Sequence, residues 1–210
     1  MKILSPLLAI ALAGCSVVGI RSGTEEPRYN LVATLGDIEI RTYAPRLAAN
    51  VTVPGDEIAA RSAGFRRIAA YIFGANQSST SISMTAPVAQ AAASDKIAMT
   101  VPVAQAKSGP GGWTITFFMP SKYTAATLPK PNDPGIIITE VPAQTYAVYR
   151  YSGVPGRDAV TAAHAALFTA LANTSWVATG DATDWFYDPP WTLPFARRNE
   201  VAVPVTPKSP

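Results

Sequence analysis

The stretch VPGDEIAARSAGFRRIAAYIFG, residues 53–74, decides how the chain folds, because its opening recurs in VPGRDAVTAAHAALFTAL, residues 154–171. In each copy Val-Pro-Gly marks a turn and a periodic apolar segment follows. In the first copy Asp56 is placed to cap a helix from Glu57 to Phe73, and Gly74 to stop it. Ile58, Ser62, Phe65, Ala69 and Ile72 form one stripe of that helix, which predicts its core-facing side. The opposite stripe, Ala60, Ala63, Gly64, Arg67, Ala70 and Tyr71, is smooth, with one cation and one phenol. Either a flat ligand lies on it, or its alanines are there as good helix formers. The second copy predicts a helix from about Asp158 to Leu171, with Val160, His164, Leu167 and Leu171 facing inward.

Strands surround both helices. Tyr29 to Leu35 and Asp37 to Tyr43 meet at Gly36, and Ile38 and Ile40 alternate with Glu39 and Arg41, the period of a half-buried strand. Leu47 to Val53, Ile82 to Val88, Ile97 to Val103, Trp113 to Met119, Ile136 to Val141 and Tyr146 to Tyr151 read the same way. Gly109 to Gly112 lacks the strand-before, helix-after setting of a phosphate loop and reads as a hairpin turn. Ser121 to Pro134 is a proline-punctuated loop. A strand pair before each Val-Pro-Gly and a helix after it make an internal repeat. The expectation is a pseudo-twofold α+β domain whose antiparallel strands form a curved sheet or barrel, one helix covering each half.

The N-terminus reads as an address. Lys2 is followed by the uncharged apolar run Ile3 to Leu12, too short to span a bilayer, and then by Leu12-Ala13-Gly14-Cys15. Cys15 in that setting resembles a bacterial lipobox cysteine. The resemblance implies a signal peptide over residues 1–14, acyl chains on Cys15, a tether over 15–27, the domain over 28–205 and a disordered tail over 206–210. Ser16 lacks the Asp-type retention signal, so the expected location is the outer membrane, facing the periplasm. One Cys and one His exclude an internal disulfide and a His-cluster metal site. No Lys/Arg run exceeds two residues, which argues against nucleic acid as a partner.

Ile82-Ser83-Met84-Thr85-Ala86-Pro87-Val88 and Lys96-Ile97-Ala98-Met99-Thr100-Val101-Pro102-Val103 carry the same Met-Thr-x-Pro-Val core. With Phe117 to Tyr123, Leu128 to Pro134 and Pro189 to Phe195, they make the chain similar to the SOUL heme-binding family, in a bacterial lipoprotein branch. The resemblance runs from about Tyr29 to Val205. It implies a distorted antiparallel β-barrel of about eight strands flanked by two helices, and non-catalytic binding of heme or another porphyrin. Some members resemble Glu39 to Tyr43 but carry His at the place of Thr42, a poor heme ligand. Others are thought to hold heme against the first helix, with basic side chains meeting the propionates.

The heme-binding candidates are therefore Ala60, Gly64, Arg67 and Tyr71 on the first helix, with Arg61 and Arg66 at its margins, and Met84 and Met99 in the repeated motif. Arg67 suits a propionate because guanidinium matches a carboxylate. Met can ligate heme iron, although Met also fills gaps in cores. Tyr71 is a phenolate alternative. His164 lies on an inner stripe and reads as a hydrogen-bonded core residue, and Trp191 as part of a plug at one end of the barrel. Asp184, Asp188 and Glu200 are weak candidates for paired carboxylates, and neither a nucleophile elbow nor a zinc-protease motif is present. The alternatives are a module for another lipophilic effector and an enzyme acting on tetrapyrroles.

Overall fold

Gly55, at φ +111°, turns the chain out of a strand, and Asp56 then starts a helix by accepting the N–H groups of Ile58 and Ala59, both at 3.1 Å. In the computed structural model, which describes Val17, Gly19, residues 24–92 and residues 112–208, this helix is α1, Glu57–Ile72. The second is α2, Arg157–Ala172. The strands are β1 (Tyr29–Leu35), β2 (Ile38–Tyr43), β3 (Arg46–Pro54), β4 (Val88–Ala92), β5 (Gly112–Phe118), β6 (Ile136–Val141), β7 (Gln144–Tyr151), β8 (Trp176–Ala178), β9 (Thr183–Phe186) and β10 (Asn199–Pro207). The expected strand Ile97 to Val103 lies outside the described residues. The expected strand Ile82 to Val88 is regular only from Val88 onward. Pro87 has no N–H to give a ladder, so pairing starts after it.

All ten strands join one antiparallel sheet in the order β1-β2-β7-β10-β9-β4-β5-β3-β6, with β8 attached to β10. The order is symmetric about the β9–β4 contact, since β6-β3-β5-β4 on one side answers β2-β7-β10-β9 on the other. The repeat read from the two Val-Pro-Gly turns is thus a real pseudo-twofold. The expected barrel is not. Both edges of β2 are used by β1 and β7, and both edges of β3 by β5 and β6. Among the described strands, β1 and β6 end the path with an open edge each, and they do not pair with each other. A register shift between Leu31 and Ala33 adds twist to the β1 edge.

Gln90 of β4 and Asp184 of β9 are directly paired, and Gln90 reaches α1 while Asp184 reaches α2, so both helices cover the same face. Under α1, Val51, Ile68, Tyr71, Ile72, Ile115 and Phe117 form one core. Under α2, Ile38, Ile40, Leu167, Leu171, Val201 and Val203 form another. On the other face the sheet curls around a third core, in which Trp185 meets the rings of Tyr43, Tyr146 and Phe118.

The facing of α1 is rotated from the expected one: Ala69 and Ile72 of the expected inner stripe are buried, but Ile58, Ser62 and Phe65 are exposed. Glu57, Ala60, Gly64, Ile68, Ala69, Tyr71 and Ile72 are buried, whereas Ile58 is 52% and Phe65 39% exposed. The sheet beneath carries large side chains, and small residues let the helix approach them. A Cβ on Gly64 would fall 2.7 Å from Ile115 Cβ and closer still to its Cγ1. On α2 the stripe Val160, Leu167 and Leu171 is buried as expected, joined by Ala163, with His164 half-exposed at its margin.

Candidate functional site

The end of α1 and the proline-rich loop after β5 form a cavity of about 380 Å³, lined by Ala63, Arg66, Arg67, Ala70, Tyr71, Ala75, Asp133 and Ile136. Local sequence builds it. Gly74, at φ +116°, ends the helix, and the Ala75 N–H closes on Ala70 O at 2.9 Å. The chain then docks on the loop, with Gln77 N–H on Lys130 O at 3.0 Å and Asn132 N–H on Ala75 O at 3.3 Å. Tyr71 passes under the helix and donates its hydroxyl to Pro129 O at 2.6 Å. The apolar part of the lining is thus three alanines and an isoleucine beside Tyr71, together with Arg66, Arg67 and Asp133.

Arg67 is committed. Its Nε and Nη2 both donate to Asp133, each at 2.8 Å, and the Gly135 N–H meets the same carboxylate at 2.9 Å. Hydrogen bonding from Arg67 holds the Asp133 carboxyl below its ordinary pKa, and Asp133 raises that of Arg67. The role expected for Arg67, pairing with a propionate, is therefore already filled by a residue of the chain. Arg66, exposed on the same rim, is the cation left to meet a carboxylate there.

Ala60 and Gly64 face the sheet, so they cannot contact a ligand lying on an exposed helix face; that expectation is corrected together with the facing of α1. Tyr71 lines the cavity, but burial pushes its phenol up to about 12, so a phenolate iron ligand is disfavoured. Met84 packs into the core under α1 and does not line the cavity. Met99 and Cys15 lie outside the described residues. The cavity lining contains no His, Cys or Met. Its donor set fits a flat apolar macrocycle held by contact and does not fit an axially ligated iron.

Sequence reasoning missed two polar constellations. Between the helices, His164 Nε2 and Asp184 Oδ1 lie 2.8 Å apart. Beside them Arg61 donates to Gln90 at 2.5 Å, to Pro155 O at 3.0 Å and to Glu57 at 2.8 Å. The Asp184 hydrogen bond raises the pKa of His164. On the far face Glu200 is fully buried and accepts from Arg41 at 2.9 and 3.2 Å, from Arg198 at 2.9 Å and from the Tyr187 hydroxyl at 2.7 Å. Burial alone would push the Glu200 carboxyl up, but the two guanidinium groups outweigh it and hold it low. Asp184 and Glu200 point to opposite faces and do not form a pair. Spacing along the chain could reveal the local pairs Glu57–Arg61 and Arg198–Glu200, but the contacts of His164 with Asp184, Arg61 with Gln90 and Arg41 with Glu200 join distant elements.

A second cavity of about 510 Å³ lies at the open seam of the sheet, where Arg28, Arg46, Leu47, Met119, Tyr123 and Glu140 are among its walls. Among the described residues no three His, Cys, Asp or Glu side chains gather as metal ligands, and no helix is long and apolar enough to cross a membrane.

Several solved structures share the fold. The C-terminal domain of EcmrR is 13% identical with a TM-score of 0.59, over 86% of this chain and 99% of that one. A hydrolase from Listeria innocua is 12% identical with a TM-score of 0.55, over 83% and 94%. An uncharacterized conserved protein from the same organism is 12% identical with a TM-score of 0.54, over 88% and 94%. At such identities the likeness concerns the fold alone. No curated protein matches the chain. The model of the SOUL heme-binding protein matches residues 24–204, which takes in both helices, the sheet but for the last three residues of β10, and the α1 cavity, and the chain accordingly belongs to the SOUL heme-binding family.

Proposed function

We propose that this domain binds heme or a related tetrapyrrole, without catalysis, in the cavity at the end of α1. The observation that carries the reading is the small-residue apolar lining of Ala63, Ala70, Ala75 and Ile136 with Arg66 beside it. Each Å² of apolar surface removed from water contributes roughly 25 cal/mol, so a large planar ring gains most where no side chain holds it off the lining. Arg66 would meet a propionate at the solvated edge, a contact worth up to about 1 kcal/mol. Capture by surface contact predicts little discrimination between iron-loaded and metal-free rings. Titration of the protein with hemin and with metal-free porphyrin, followed by absorbance, tests this. A Soret shift with both supports the reading. A shift with hemin alone places the site at an iron ligand elsewhere, and no shift with either favours another lipophilic effector.

The Leu-Ala-Gly-Cys sequence supports a companion proposal, that acyl chains on Cys15 tether the domain to the outer membrane with the cavity exposed to the periplasm. The intact mass of the native protein tests it, an unmodified Cys15 thiol being the result against it.

A further inference from the structure

The segment Pro189 to Ala196 carries no charge, and its side chains are sorted. Thr192 is buried, whereas Trp191 is 64%, Leu193 39% and Phe195 77% exposed. The backbone that displays them is held firmly. Arg197 donates Nε to Thr192 O at 2.8 Å and Nη2 to Pro190 O, and Pro194–Ala196 is a 3-10 turn. The Gly153 N–H bonds Pro194 O at 2.9 Å, which sets Val154, 58% exposed, beside the same loop. Four exposed apolar side chains in one rigid patch are more than scattered surface residues.

The amino-terminal chain meets the fold at this loop. Leu193 donates its N–H to Val17 O at 2.8 Å. Gly19, at φ +75°, lies so close to Ala196 that a Cβ there would fall 2.5 Å from its carbonyl oxygen. Cys15 precedes Val17 by two residues, a reach of at most about 7 Å. Acyl chains on Cys15 would therefore enter a bilayer no more than roughly 15 Å from Leu193.

We propose that Trp191, Leu193, Phe195 and Val154 form a membrane-contact surface that seats the domain on the bilayer holding its lipid. This rests on the lipid-anchor reading. Tryptophan suits the headgroup region, with an apolar ring and one polar N–H, and phenylalanine and leucine suit the acyl boundary beneath it. A lipid alone leaves a domain swinging on its tether, whereas an apolar loop beside the lipid fixes which end faces the membrane. Arg61 touches Pro155 next to this loop, and the ligand cavity starts at Ala63 and extends along α1 to Ala75, away from it. Membrane seating and ligand entry thus use different ends of the helix.

The test uses the mature chain with its acyl groups, their presence verified by intact mass, in phosphatidylethanolamine–phosphatidylglycerol vesicles with and without brominated acyl chains. Trp185 is buried and Trp113 and Trp176 are partly covered, so bromine quenching should report mainly on Trp191. The expected result is a loss of emission in brominated vesicles that Trp191→Phe abolishes and that Phe195→Trp, added to Trp191→Phe, restores. Acylated protein whose Trp191 emission is not quenched overturns the proposal and leaves the anchor standing. A Trp191 shielded instead by a second copy, seen as a Trp191-dependent dimer in sedimentation, also overturns it. If the mass shows no acyl group, the anchor reading fails, and the surface then stands or falls on whether the unacylated chain is quenched by the same vesicles.

Discussion

Replacing Gly64 by alanine is the sharpest probe of how α1 sits. In an open helix the change is favourable by about 1 kcal/mol, because glycine is a poor helix former. Here the new methyl would meet Ile115, at 2.7 Å from its Cβ and nearer to its Cγ1. Ile115 is fully buried in the centre of β5, paired to both β3 and β4, so it cannot swing away. Overpacking of this kind costs about 1–3 kcal/mol, and more when backbone must move. Because Ile115 is held on both sides the upper end of that cost applies, and the net expectation for Gly64→Ala is a loss of about 2 kcal/mol, or a fall in melting temperature of roughly 4–8 °C for a domain this size. Urea unfolding of wild type, Gly64→Ala, Ile115→Ala and the double variant measures it. Ile115→Ala alone should cost about 2–5 kcal/mol. In that background the Cγ contacts are gone but the Cβ of residue 115 remains 2.7 Å from the new methyl, so Gly64→Ala should cost less than it does in the wild-type background. If Gly64→Ala is neutral or stabilising in the wild-type background, α1 does not lie on β5 as described.

Arg66→Glu should weaken hemin binding, more at low salt than at high, while Arg67→Ala should act mainly by releasing Asp133, seen as a small loss of stability rather than of affinity. Glu200→Ala removes the buried partner shared by Arg41 and Arg198, leaving them Glu39 and Glu26 at the margin, and should cost about 3 kcal/mol, read by urea unfolding. The Glu200 carboxyl is held below its unfolded value, so its stabilisation is present above about pH 4.5 and lost as the pH falls through the lower folded value. His164 has the opposite sign. Its pKa is raised by Asp184, so the pair's contribution is complete below about pH 6.5 and lost as the pH rises through the folded value. His164→Gln should flatten that slope in stability measured across neutral pH, with hemin affinity unchanged in the folded fraction.

By itself the sequence determined the features that local chemistry controls. Val-Pro-Gly can only turn, Asp56 can cap the helix behind it, and two such units in one chain predict two helices and a pseudo-twofold sheet, all of which the structure contains. Of the small-residue stripe read on α1, Ala63, Arg67, Ala70 and Tyr71 line a cavity, whereas Ala60 and Gly64 are buried against the sheet. Tertiary structure alone decided which stripe of α1 turns inward. Helical periodicity leaves the exact rotation open, and the sheet sets it: Ala69 and Ile72 stay inward, but the bulk of Ile115 and Phe117 brings Ala60 and Gly64 opposite and turns Ile58 and Phe65 out. It also decided that the sheet stays open, since whether β1 meets β6 depends on edges consumed by pairings far apart in the chain. The ion pairs follow the same rule. Asp133 claims Arg67 from 66 residues away, and Glu200 claims Arg41 from 159, distances over which no periodicity or spacing carries information.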